Sequence, residues 1–292
     1  MQKRFRSRHF LAVVLIAASL SACGGSDDSP SVATSPTSST PATESPSATS
    51  PQSSAQVACS PNGSFTYSGS AVQVAASNGT LAVVVVPTLP ADVQKNRNFT
   101  APAAPASSQV QQASGAFTTL ASSSASTDCL GLEHGAVSDI QGVGSDVAIG
   151  RWNQAEDTDG NTYNPGQGVH YAVGTPLSLT ATSGTMACTQ VIADTVASND
   201  GGASGTLGTT SATLDLATRT LNSLSMSINL ANTNYTLTNT QAPLNGTSTT
   251  GQLSIQSVVV GHDATQPLVA LGYSTTLPNA QTIGGVVVLS CK

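Results

Sequence analysis

Leu224-Ser225-Met226-Ser227-Ile228-Asn229-Leu230 alternates apolar and polar side chains without a break. Successive side chains of an extended chain point to opposite faces, so this stretch reads as a strand with one dry and one wet face. Ala212, Leu214 and Leu216 repeat the pattern upstream. Such alternation belongs to antiparallel sheets that pack one face on a core and turn the other to water. Outward from it, strands are expected at 177–182, 185–193, 206–216, 220–230, 234–240, 251–260, 267–275 and 283–290. The connections carry turn formers: Asn199-Asp200-Gly201-Gly202, Ala231-Asn232-Thr233-Asn234, Asn245-Gly246 and Pro278-Asn279. Eight short, evenly spaced strands predict an antiparallel eight-stranded up-and-down β-barrel over residues 176–292, a form that removes exposed sheet edges. In such a barrel the first and last strands pair. Cys188, near the start, then comes within reach of Cys291 at the end.

A smaller β-rich region is expected over 57–175. Ser64 to Ser68 reads as a short strand. Ala71 to Ser77, then Asn78-Gly79, then Thr80 to Val86 predicts a hairpin, because Asn-Gly suits the two positive-φ positions of a type I′ turn. Val83 to Val86 is continuously apolar, which points to cover on both faces, and Pro87 and Pro90 are expected to end the strand. Residues 91–127 keep no steady period; Ser107 to Ala113 reads as one or two helical turns or, equally, the segment reads as a long loop with a short strand near Phe117. Val147 to Trp152 and Val169 to Val173 are further strands.

The N-terminus specifies an address. Lys3, Arg4, Arg6 and Arg8 precede an apolar run from Phe10 to Leu20. That run falls short of the roughly twenty apolar residues a spanning helix needs, but suits a secretory leader. Leu20-Ser21-Ala22-Cys23 resembles the lipobox of bacterial lipoproteins. The resemblance implies cleavage after residue 22, a diacylglycerol on the Cys23 thiol and an acylated new amino group. Several acyl chains are needed because one alone binds a membrane only marginally. Gly24 follows, where an aspartate would resemble an inner-membrane retention signal, so the expected location is the outer membrane. Residues 23–56 carry Pro30, Pro36, Pro41, Pro46 and Pro51 among Ser, Thr and Ala, and read as a disordered tether.

Four of the nine Lys and Arg precede Cys23 and all fifteen Asp and Glu follow it, leaving five basic residues against fifteen acidic, a net charge of −10. Such a chain lacks the basic footprint of a nucleic-acid binder. Charged residues make up 8% of the sequence, far below the roughly 25% of an average soluble protein, and hydroxyls and amides take their place. Beyond Cys23 stand Cys59, Cys129, Cys188 and Cys291, an even number in an exported chain and with no CxxC. Three connectivities are open. Cys59–Cys129 and Cys188–Cys291 keep each bridge inside one proposed domain, and loops of that length contribute ~4–5 kcal/mol each in the chain-entropy model.

Ile149-Gly150-Arg151-Trp152, His170 to Pro176 and Gly184 to Ala187, with Gly261, Leu271-Gly272-Tyr273 and Ile283 to Val288 near the end, resemble the run into and through the C-terminal barrel of transferrin-binding-protein-B-like surface lipoproteins. That resemblance covers 149–292 and implies a barrel on a surface-anchored binding protein. Thr189 departs from the family's aromatic at that position.

Chemistry is sparse. No metalloprotease, nucleophile-elbow, P-loop or dinucleotide fingerprint occurs, and no cofactor is expected. His134, His170 and His262 read as structural or solvated. Arg151 and Trp152 are the candidate binding pair if exposed, and a core anchor with an acid-paired arginine if buried. Asp157, Asp159 and Asn161 before and after Gly160 resemble half of a calcium loop, but Gly168 stands where the bidentate glutamate belongs. The preferred reading is a polar Asp-Gly turn between the Trp152 and Val169–Val173 strands, with no metal, and the calcium loop is the alternative. The expected function is a non-enzymatic binding or adhesion module whose barrel-end loops meet a protein ligand; a periplasm-facing structural lipoprotein and a hydrolase with an unrecognised site are the alternatives.

Overall fold

A computed structural model describes residues 53–60, 63–90, 92–93, 95 and 97–292. The leader, Cys23 and the tether up to residue 52 lie outside the described residues. The last tether residues belong to a short helix, α1 (Ser54–Ala58), rather than to disordered chain. Ser53 caps it by accepting the Gln56 N–H (3.2 Å). Ala55 anchors it, packing with Cys59, Ala121 and Cys129. The packed body therefore begins a few residues before 57.

The first sheet holds β1 (Phe65–Gly69), β2 (Thr80–Thr88), β3 (Phe99–Pro105), β4 (Val110–Gln111), β5 (Phe117–Ala121), β6 (Cys129–Val143), β7 (Val147–Asp157) and β8 (Gly168–Gly174). Its order is β3-β2-β8-β7-β6-β5-β4, with β1 lying parallel beside β6. Residues 71–77 do not form the expected hairpin arm. Asn78 and Gly79 do adopt positive φ (50° and 73°), but the turn closes only a Ser77–Thr80 bridge. β3 and β8 occupy the two edges of β2 instead. The 71–77 segment is held by side chains, with the Val74 N–H donating to Gln111 Oε1 (2.9 Å). Pro87 does not end β2: the strand runs through it to Thr88 and pairs Pro87 with Val169. Ala106–Ser108 forms a single 3-10 turn.

The second sheet holds β9 (Thr185–Ala193), β10 (Thr195–Ser198), β11 (Ser204–Asp215), β12 (Thr220–Leu230), β13 (Thr233–Pro243), β14 (Gly246–Thr250), β15 (Leu253–Val260), β16 (Leu268–Thr276) and β17 (Thr282–Cys291). All its ladders are antiparallel. β9 and β10 form one strand bent at Asp194, and both pair with β11 and β17, so the first strand meets the last. The ladder closes everywhere except between β13 and β14. There the chain turns at Leu244-Asn245, and Asn239 Nδ2 donates to Thr250 Oγ1 across the seam (3.2 Å). The barrel thus forms, with one unzipped seam. Its eighth strand is β14 and not 177–182. Those residues form an extended strap that touches β15 through a single Pro176–Val260 bridge and the Leu177 N–H to Val259 O bond (3.2 Å).

Strand parity explains the core. Leu224, Met226, Ile228 and Leu230 point into the barrel with Leu214, Leu271, Val287 and Leu289. β2 uses both faces: Leu81, Val83 and Val85 pack on one side with Phe117, Trp152 and Tyr171. Ala82, Val84 and Val86 pack on the other against the outer face of the barrel, at Val258, Ala270, Val286 and Val288. Gly272 and Gly284 clear the track for β2. A Cβ at Gly272 would sit 2.4 Å from Val86 Cγ2, and one at Gly284 2.8 Å from Thr88 Cγ2.

Candidate functional site

Arg151 and Trp152 are both inside, so neither is a surface contact. Trp152 is fully buried and its Nε1 donates to Phe117 O (2.8 Å), while the Phe117 N–H donates to Tyr171 Oη (3.1 Å). The only tryptophan thus clamps β5 onto β7 and β8. Arg151 Nε donates to Asp139 Oδ2 (3.2 Å), and Nη1 donates to Pro165 O and Gln167 O (3.1 and 3.0 Å). Asp139 also accepts from Thr195 Oγ1 on β10 (3.0 Å), which links the arginine to the barrel.

The Asp157–Asn161 segment is a self-satisfied turn. Asp157 Oδ1 accepts the N–H groups of Asp159 (2.9 Å) and Asn161 (3.1 Å), and Asp157 Oδ2 accepts from Asn161 Nδ2 and Tyr163 Oη. Burial pushes the Asp157 carboxyl up against these bonds. Asp159 faces cations: Arg97 holds it through Nε and Nη2, and Lys95 Nζ lies 3.2 Å away. Its oxygens are therefore committed to Arg97 and Lys95, which a calcium ion would have to displace. Among the described residues no three His, Cys, Asp or Glu side chains gather at a metal position. Burial raises the Asp159 pKa, but bonds from Arg97 and then Lys95 outweigh it and hold the carboxyl below its usual range. A depressed carboxylate stabilises the fold above its unfolded pKa, about 3.9, and loses that contribution as pH falls through its folded value. Asp159→Asn is expected to lower the melting temperature at pH 7, and the gap from wild type to shrink below about pH 4. Melting curves across pH check it; a gap independent of pH would contradict the charge pairing.

His170 is a residue whose partners the sequence does not reveal. It is fully buried on β8, with Asp194 at Nδ1 and Thr88 Oγ1 at Nε2 (3.1 Å). The connectivity is that of a hydroxyl–histidine–carboxylate triad. Thr88 is 1% exposed and Asp194 4%, so the hydroxyl is sealed between the sheet and the barrel. Asp194 Oδ1 also accepts the Val286 N–H (2.8 Å), and Thr88 Oγ1 can donate to Gly168 O (3.1 Å). With the Thr88 proton on Gly168 O, both ring nitrogens donate and the pair is imidazolium–carboxylate; with it on Nε2, the ring is neutral. Either arrangement satisfies every member, as a buried polar link must. Burial pushes the Asp194 carboxyl up. The unit ties β2 and β8 to the barrel at the β9–β10 bend.

The other two histidines among the described residues lie at the surface. His134 Nε2 is 3.8 Å from Glu156, and His262 Nδ1 contacts Asp146 (2.8 Å), which raises the His262 pKa.

Antiparallel pairing places the β11–β12, β13–β14 and β15–β16 connections, the strap and the C-terminus at one end of the barrel. The 199–203, 231–232, 251–252 and 277–281 connections lie at the other. At the strap end, Leu177, Ser178, Leu179, Arg219, Leu244, Asn245 and Val259 line a cleft of about 390 Å³. Arg219 sits in the β11–β12 turn with φ 57°. Its Nη2 donates to Leu179 O (3.0 Å), while Nη1 is buried with no hydrogen-bond partner. Lone basic character in a turn, among only five basic residues after Cys23, was the available sequence signal.

The two disulfides join Cys59 to Cys129 and Cys188 to Cys291. No family model matches the chain, and no curated protein matches it. Among solved structures it shows a weak likeness to a point mutant of transferrin binding protein B from Haemophilus parasuis Hp5, with 11% identity and a TM-score of 0.29. That match covers 74% of this chain and 47% of the other, so the chain spans about half the length of the protein it resembles.

Proposed function

We propose that this chain is a lipid-anchored envelope protein of the outer membrane that acts as a non-enzymatic binding or adhesion module. The observation that carries the reading is the strap end of the barrel, where a cleft lined by Leu177, Leu179, Arg219, Leu244 and Val259 opens on a rigid scaffold. The Leu20–Cys23 lipobox supplies the anchor, and the proline-spaced segment after it supplies reach. The buried triad favours a hydrolase only in its connectivity; its sealed hydroxyl supports a structural role. Cys23→Ala is expected to move the protein out of the membrane fraction, and protease treatment of intact cells to remove the wild-type body. Retention of the Cys23→Ala chain in the membrane sinks the anchor. Protection of the wild type from protease sinks surface display and favours the periplasm-facing alternative.

A further inference from the structure

We propose that the free edge of β13, Thr233–Thr238, is a self-association surface whose partner is the same edge of a second copy of this chain. β14 ends at Thr250, level with Asn239, and the chain then turns away into β15. Thr233–Thr238 therefore has β12 on one side and no strand on the other. Such an edge presents a row of backbone N–H and C=O groups to any extended chain, and native proteins blunt it with proline, charge, a bulge or shortness. The edges of the first sheet are blunted in this way: β3 carries Pro102 and Pro105, and β4 is two residues long. β13 is not. It runs eleven residues in one register against β12, carries no charge and has no proline before Pro243.

The side chains of this edge suit a copy of itself. Two antiparallel β13 edges centred on Thr236 bring Tyr235 opposite Leu237 of the second copy, Thr236 opposite its own counterpart and Asn234 opposite Thr238. Directly opposed residues share a face, so apolar meets apolar on one side, and hydroxyl meets hydroxyl or amide on the other. Tyr235 and Leu237 are half-buried at the margin of the barrel core, and the pairing covers them further. Charge selects the same wall. After Cys23 the chain has a net charge of −10, so two copies repel, yet no Asp, Glu, Lys or Arg occurs from Thr220 to Gly261, the span of β12 to β15. At physiological salt the repulsion fades beyond about 8 Å, so two copies meet here with little opposition. A two-fold contact uses up both edges and closes at a dimer.

The test is sedimentation velocity of the full chain carrying Cys23→Ala, which leaves the described residues untouched. Concentration is raised to about 1 mM, because a short edge lies at the small, weak end of interfaces. A shift from monomer to dimer is expected. Thr236→Lys and Thr236→Glu, at an exposed position, should each weaken it at least tenfold while the melting temperature holds, because like charges then face each other across the axis. An equimolar mixture of the two should restore the dimer. Thr236→Val, which keeps the β-branched shape, should dimerise. Thr236→Cys should form an intermolecular disulfide on mild oxidation, since opposed residues lie within bridging distance. Ser211→Cys, exposed on β11, should not. A chain that stays monomeric overturns the proposal and leaves the edge to an extended strand of another protein. Charge variants that dimerise like the wild type, a mixture that stays monomeric, or equal cross-linking at Ser211→Cys also overturn it.

Discussion

His170→Ala is expected to destabilise the protein by roughly 3–5 kcal/mol, because it takes the side-chain partner from a buried carboxyl and leaves a cavity. The Asp194 carboxyl would remain at 4% exposure with only the Val286 N–H for a partner, and Thr88 would lose its ring contact. Against a total stability of about 5–15 kcal/mol, that loss is large. Chemical denaturation gives the magnitude, and a cycle with Asp194→Ala separates the pair from the cavity. The double variant should lose clearly less than the two single losses combined, because it leaves neither buried group without its partner. Strict additivity would show that His170 and Asp194 do not act as a unit. A wild-type midpoint for His170→Ala would remove the strut altogether.

The second large effect is the Cys188–Cys291 bridge. The two residues face each other across β9 and β17, with Cα atoms 4.0 Å apart and a sequence separation of 103. A loop of that length corresponds to about 4.7 kcal/mol in the chain-entropy model, an upper figure. Alanine is the better replacement, because both sulfurs are buried and a serine hydroxyl would need a partner there. Cys188→Ala with Cys291→Ala is expected to lower the denaturation midpoint sharply, and reductant should lower the wild-type midpoint at least as far, since it opens Cys59–Cys129 as well. A midpoint that reductant leaves unchanged would show that the ladder closes the barrel unaided. The Cys59–Cys129 bridge ties α1 to β6, and its removal should release the helix more than the barrel.

Both effects bear on what could be read beforehand. Alternation at Leu224 to Leu230 was sufficient for β12, since a period of two admits one orientation of a half-buried strand. Leu177 to Thr182 alternates as well, yet forms a strap. Leu179 still leans on the barrel core while Ser178 and Thr180 face water, so the pattern reported burial correctly and pairing wrongly. Gly246 to Thr250 has no apolar member and is a strand through backbone pairing alone, which composition does not register. Arg151 and Trp152 carried the residue types of a binding hot spot; their place at the meeting of β7, β8 and β5 made them core. Asp194 left a faint trace, a single acid between Val191-Ile192-Ala193 and Val196-Ala197.

By itself the sequence determined the nearly all-β character and the dry and wet faces of most barrel strands, because these depend on local composition and a period of two. Only the tertiary structure decided that Thr88, His170 and Asp194 meet, that Gly272 and Gly284 let β2 ride on the barrel, and that Arg219 and the strap line one cleft. Those features depend on contacts between residues up to 198 positions apart, as Val86 and Gly284 are, and no local pattern encodes the partner of a side chain that distant.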